Sequence, residues 1–152
     1  MVIDDPLIRF LDVMAVNTYN GWYSNDPLAS LPGFVWRSNH GKPLILSEFG
    51  ADALAGFHDP ARMPRFSEEY QAEYYRQTLA MADRIPFLRG MSPWILKDFR
   101  SPRRQHPVYQ RGWNRKGPDL RNRRPQARLR SPCGALPPAE RKGRALTTRH
   151  PL

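Results

Sequence analysis

The chain has 152 residues, enough for one ordinary domain, and a formal net charge of +10 at pH 7. Its single cysteine, Cys133, excludes an internal disulfide framework, and no apolar run reaches the roughly 20 residues of a membrane-spanning helix. The opening Met1-Val2-Ile3-Asp4-Asp5 lacks the basic start and apolar core of a signal peptide, so a cytoplasmic chain is expected. The charge is unevenly placed. Residues 118–152 hold nine Lys and Arg against Asp119 and Glu140, a net +7, whereas the first 117 residues carry +3. The basicity therefore belongs to the tail, and a nucleic-acid reading does not extend to the body.

Four segments carry pattern. Asp12 to Tyr19 is mostly apolar with β-branched residues, ends at Asn20-Gly21, and predicts a buried strand. Residues 26–40 have room for a short helix, interrupted by Pro32 and Gly33. Pro43 to Gly50, with Leu44-Ile45-Leu46 at its centre, predicts a second strand. Ser67 to Arg84 predicts the principal helix. Ser67 suits the N-cap, Glu68 and Glu69 suit the positive end of the dipole, and Pro86 stops continuation. Tyr70, Tyr74, Tyr75, Leu79, Met81 and Ala82 fall on one face at helical spacing. Phe87 to Phe99 predicts a third strand centred on Met91–Leu96, with Pro93 arguing for a bulge or an early end to pairing.

Strands apolar on both faces and separated by helices imply a parallel α/β sheet. In such sheets chemistry gathers at the carboxyl ends of the strands. Residues 118–152 differ in kind: they contain no Phe, Trp or Tyr and hold six of the chain's 16 prolines. A segment of that composition cannot bury enough apolar surface to offset its ordering entropy, and disorder is expected.

The strand ends share a design. The first leads into Asn17, Tyr19, Trp22 and Tyr23; the second ends in Glu48; the third carries Trp94, Lys97 and Asp98. Side by side they make a cleft with a carboxylate floor and aromatic walls. Aromatic faces suit the C–H faces of a sugar, and a carboxylate suits an oxocarbenium-like transition state. Read from pattern alone, a strand-end Glu such as Glu48 is more often solvated or salt-bridged than catalytic. Tyr19, Trp22 and Tyr23 then read as packing, and Asp98 beside Lys97 as a surface pair.

Val16-Asn17-Thr18-Tyr19-Asn20-Gly21-Trp22-Tyr23, Ser47-Glu48-Phe49-Gly50-Ala51-Asp52 and Trp94-Ile95-Leu96-Lys97-Asp98-Phe99 together resemble glycoside hydrolase family 2, in its β-glucuronidase and β-galactosidase-like branches. Phe66-Ser67-Glu68-Glu69-Tyr70-Gln71 and Arg89-Gly90 add to the likeness, which covers roughly residues 6–117. The resemblance implies a (β/α)₈ TIM barrel, of which this chain holds the C-terminal part, about the last three strands, within residues 1–117. It implies retaining hydrolysis of a β-linked sugar with Glu48 as nucleophile and Tyr19 hydrogen-bonded to it. Asn17, Tyr23 and Trp94 correspond to sugar-contacting positions. Asn114-Arg115-Lys116-Gly117 resembles the Asn-x-Lys element that holds a uronate carboxylate, with Lys116 as cation and Asn114 as amide donor. The expected partner is therefore a carbohydrate, a β-glucuronide with a β-galactoside as alternative. Neither nucleic acid nor membrane is expected, and a homo-oligomeric parent enzyme is left open.

Two departures qualify the resemblance. Retaining chemistry needs a second carboxylate, which in the family follows an Asn on an earlier strand, and no Asn-Glu pair occurs in this sequence. The acid/base is expected upstream of Met1, with the other barrel strands, so the fragment is expected to be inactive alone. A non-catalytic sugar-binding remnant is the alternative. After Gly117 the family continues with Leu-Ile-Ser-Glu, whereas here Pro118-Asp119-Leu120-Arg121 stands. One inserted C turns CTG ATC TCC GAA into CCT GAT CTC CGA, which encodes that tetrapeptide. A frameshift is expected there, with a nucleic-acid-binding arm as the rival reading of the tail. No cofactor is expected, and His40, His58, His106 and His150 lack metal-ligand spacing.

Overall fold

The computed structural model describes residues 1–117. The expected disordered, frameshifted tail, with Cys133 and His150, lies outside the described residues.

In chain order the elements are β1 (Val2–Ile3), a 3₁₀ turn (Pro6–Phe10), β2 (Met14–Asn17), a second 3₁₀ turn (Leu28–Gly33), β3 (Arg37–Ser38), β4 (Leu44–Glu48), α1 (Glu68–Ala82), β5 (Leu88–Met91), β6 (Phe99–Arg100) and β7 (Trp113–Asn114). The centre is a three-stranded parallel sheet in the order β2-β4-β5. β1 pairs with β3 in parallel, and β6 pairs with β7 antiparallel. The expected parallel α/β arrangement is what the chain forms.

Burial explains the sheet. Leu44 and Leu46 of β4 are fully buried and Met14 of β2 nearly so, each contributing about 1.5–3 kcal/mol of apolar burial. Helix α1 covers them with Tyr74, Tyr75 and Met81, joined in one core with Trp22, Leu31 and Phe49. Ser67 caps the helix: its Oγ accepts from Tyr70 N at 3.1 Å.

Three expectations are corrected in detail. The helix of residues 26–40 is only the 3₁₀ turn Leu28–Gly33, because Pro32 has no N–H to extend it. Arg84 lies beyond the last turn of α1, where its Nη1 donates to Pro32 O at 3.1 Å. The third strand is shorter than Phe87–Phe99. It ends at Met91, two residues before Pro93, and its expected centre, Met91–Leu96, lies mostly past it. The chain there still follows β4: Ser92 N donates to Leu46 O and Trp94 N to Phe49 O, both at 2.8 Å. The Trp94–Ile95 peptide is cis.

The buried face of α1 is more polar than its apolar spacing suggests. Gln71 is fully buried and Thr78 is 1 % exposed. Gln71 Nε2 donates to Ala51 O at 2.5 Å, and Tyr70 donates to Gly21 O. The Tyr74 hydroxyl accepts from Gly50 N and donates to Thr18 O, each at 3.3 Å. These side chains hold the loops that leave the carboxyl ends of β2 and β4.

Candidate active site

The carboxyl ends of β2 and β4 are locked together. Asn17 is in register with Glu48 after a shift between Val16 and Asn17, and Thr18 N donates to Glu48 O at 2.8 Å. The extended backbone then carries Tyr19 beside the acid. Its hydroxyl donates to Glu48 Oε2 at 2.8 Å. Burial, followed by this hydrogen bond to the Glu48 carboxylate, pushes the Tyr19 phenol far above its ordinary range, so it remains a donor.

Glu48 opens into a cleft of about 490 Å³, within the roughly 300–1,000 Å³ of small-molecule sites. Tyr19, Tyr23, Trp94 and Asn114 line it with Glu48, together with Phe99, Ser101, Arg103 and Arg104. Among these described lining residues Glu48 is the one carboxylate. Trp94 and Phe99 meet edge to face at 6.1 Å, and Tyr23 lies 5.0 Å from Tyr19. Trp94 is placed by a close approach: a Cβ on Gly50 would stand 2.3 Å from Trp94 O, so the backbone after Glu48 must be glycine there.

Five of the seven predicted site residues line this cleft. Asn17 does not. Its side chain is exposed, and its Oδ1 accepts from Ser47 Oγ at 2.8 Å. Lys116 lies behind the cleft wall rather than on it. It is fully buried, its Nζ is 2.5 Å from Oδ1 of fully buried Asp52, and it sits 4.7 Å from the Trp22 ring centre and 4.9 Å from that of Tyr23. Gln110 also donates to Asp52. Asn114 is 2 % exposed, with its Oδ1 accepting from Lys116 N at 3.1 Å, an Asx-type turn.

Asp98 is not the surface acid its neighbour Lys97 suggested. Its Oδ1 accepts from Gly117 N at 2.9 Å, and its Oδ2 is 3.8 Å from Arg115. A Cβ on Gly117 would meet Asp98 N at 2.4 Å, so this joint too needs glycine. Sequence reasoning missed Asp52, Gln110, Arg103 and Arg104. The basic run Arg100-Ser101-Pro102-Arg103-Arg104 was the available signal for the last two. Among the described residues no cluster of His, Cys, Asp and Glu is placed to hold a metal ion, and no helix is long and apolar enough to cross a membrane.

A carboxylate fixed by a phenol at a strand end, with aromatic walls around it, has the chemistry that suits a sugar ring. The family model described as glycosyl hydrolases family 2, TIM barrel domain, matches residues 3–125. The chain belongs to that family. A β-glucuronidase of Paenibacillus borealis is 37 % identical over 130 residues, covering 80 % of this chain and 21 % of that protein. A solved β-D-glucuronidase of Dictyoglomus thermophilum superposes with a TM-score of 0.65 at 32 % identity, covering 80 % of this chain and 22 % of that one. A family 2 β-galacturonidase of Eisenbergiella tayi bound to galacturonate gives a TM-score of 0.68 at 26 % identity, covering 84 % and 24 %. This chain thus spans about a fifth of the length of the curated relatives it matches.

Proposed function

We propose that this chain is the part of a retaining glycoside hydrolase that carries the nucleophile, and that the substrate is a β-linked uronide. One observation carries the reading: Glu48 ends the central strand of a parallel sheet, opens into an aromatic cleft, and accepts a hydrogen bond from Tyr19 at 2.8 Å. In the proposed reaction the free Glu48 oxygen attacks the anomeric carbon as the glycosidic bond breaks. Water then hydrolyses the glycosyl ester and restores the carboxylate. Tyr19 holds the carboxylate in its attacking orientation and keeps its own proton throughout. Tyr23 and Trp94 stack on or border the sugar, and Asn114 offers its amide. We assign Asn17 a sugar contact beyond the cleft lining. Lys116 acts from behind the wall, fixing Tyr19 and Tyr23 under its charge and favouring an anionic ring.

The names of the relatives favour a uronide over a neutral β-galactoside. We read residues 1–117 as about the last three strands of the barrel. The free edges of β2 and β5 in the described residues support this, because a closed barrel has none. The single cleft carboxylate supports the further reading that these residues alone lack the acid/base and do not hydrolyse unactivated glycosides. An activated aryl glycoside needs little acid assistance. Assayed on 4-nitrophenyl β-D-glucuronide, the full gene product is expected to release a burst of nitrophenol that Glu48→Gln abolishes. A burst that survives the substitution overturns the assignment.

A further inference from the structure

Loop 101–112 joins β6 to β7 and brings two arginines to the cleft. Its neck is closed by main-chain bonds. Ser101 N donates to Gly112 O at 2.9 Å, Gly112 N to Arg104 O at 2.7 Å, and Arg104 N to Ser101 O at 2.9 Å. Its far side is stacked on the segment that follows β4. Tyr109 lies against Phe66 at 4.6 Å and Phe57 at 5.4 Å, nearly parallel to both, with His106 4.7 Å away. The loop is therefore a fixed part of the site. Arg104 Nη2 donates to the Tyr23 hydroxyl at 2.8 Å, and its guanidinium stands 5.8 Å from that ring centre. Arg103 is exposed beside it, and both line the cleft that holds Glu48.

Lys116 acts on this space only from behind the wall, through the rings of Tyr19 and Tyr23. Its ammonium is fully buried and balanced by Asp52. The positive charge that faces solvent in the cleft rests on Arg103 and Arg104. A guanidinium presents five N–H donors in a planar fork that matches a carboxylate, and the bond to Tyr23 uses one of those of Arg104.

We propose that Arg103 and Arg104 bind a carboxylate of the substrate and so set the preference of this cleft for acidic over neutral glycosides. The inference rests on the reading of the cleft as a uronide site. The shared chemistry is a carboxylate, which either the sugar ring or the aglycone supplies.

The test is calorimetric binding to the full gene product and to its Arg103→Gln and Arg104→Gln variants. The probes are phenyl β-D-glucuronide, 4-carboxyphenyl β-D-glucuronide and phenyl β-D-glucoside. Losing a charge-assisted hydrogen bond weakens binding by roughly ten- to a hundredfold. Each variant is expected to lose about that factor for the acidic probes and to bind the glucoside as before. Loss for both glucuronides assigns the sugar's carboxylate, and loss for the carboxyphenyl probe alone assigns the aglycone's. Unchanged preference in both variants overturns the inference and leaves the proposed function standing. A wild-type protein that binds the glucoside as tightly as the glucuronides overturns both. Arg103 is exposed, so its variant carries no packing cost and keeps the test open if Arg104→Gln fails to fold.

Discussion

Lys116 and Asp52 are both fully buried, 64 residues apart in sequence, and joined by a 2.5 Å ion pair. The pair ties the segment after β7, with its Asn114–Lys116 turn, to the loop that follows Glu48. A buried pair need not stabilise overall, but breaking one partner leaves an uncompensated charge at a cost of about 3–5 kcal/mol. Asp52→Ala is expected to destabilise the full gene product by that amount in urea unfolding. The double substitution Asp52→Asn with Lys116→Met is expected to recover most of it. Equal losses in the single and double variants would show that the charge is not what matters.

Tyr19→Phe removes the hydroxyl that donates to Glu48 and leaves the ring. A hydrogen bond to a charged group contributes about 1.5–3 kcal/mol, so the rate of glycosylation should fall roughly ten- to a hundredfold. Single-turnover release of nitrophenol measures that step. Unfolding midpoints should move little, since the ring contacts with Tyr23 remain. An unchanged rate would remove Tyr19 from the mechanism.

The phenols give a pH prediction. Tyr19 is raised far above its ordinary value by burial and by Glu48, and burial pushes Tyr74 up to about 12. Unfolded tyrosine releases its proton near pH 10, while the folded protein keeps both. Stability from these groups is therefore complete below about pH 10 and falls as pH rises through the folded values. Phenolate absorbance should show Tyr19 and Tyr74 titrating late, together with unfolding. Six tyrosines ionising together near pH 10 in folded protein would contradict the burial of both.

Gly50→Ala places a methyl 2.3 Å from Trp94 O, against backbone rather than a flexible side chain. Overpacking of this kind costs about 1–3 kcal/mol. The expected result is a displaced Trp94, read as a lost tryptophan-fluorescence response to glucuronate, with the fold retained. An unaltered response would separate Trp94 from the sugar.

Much of this arrangement was legible in the sequence because it is local. Leu44-Ile45-Leu46 announces a buried strand and Ser67 the start of α1, whereas the buried strand expected over Asp12 to Tyr19 is the shorter Met14–Asn17, in which Met14 alone is buried. Tyr19 and Glu48 follow directly, because each lies just at or past the end of its strand. What was not legible depends on distant partners. Gln71 and Thr78 lie outside the apolar set read for α1, yet they are buried; Gln71 Nε2 donates to a carbonyl of a remote loop. Lys116 reads as a free cation until Asp52 is placed beside it. The third strand was overextended because Trp94-Ile95-Leu96 is apolar enough for a strand, while Pro93 interrupts the ladder. Arg103 and Arg104 were passed over because a basic run usually reads as a solvated surface.

The central claim is that Glu48 is the nucleophile. The most direct test is to incubate the full gene product with 2,4-dinitrophenyl 2-deoxy-2-fluoro-β-D-glucuronide, which forms the glycosyl ester and slows its hydrolysis. Peptide mass spectrometry then locates the label. The account predicts one fluoroglucuronyl group on the peptide containing Ser47-Glu48-Phe49, absent in Glu48→Gln. A label on any other residue, or nitrophenolate release with no ester formed, would contradict it.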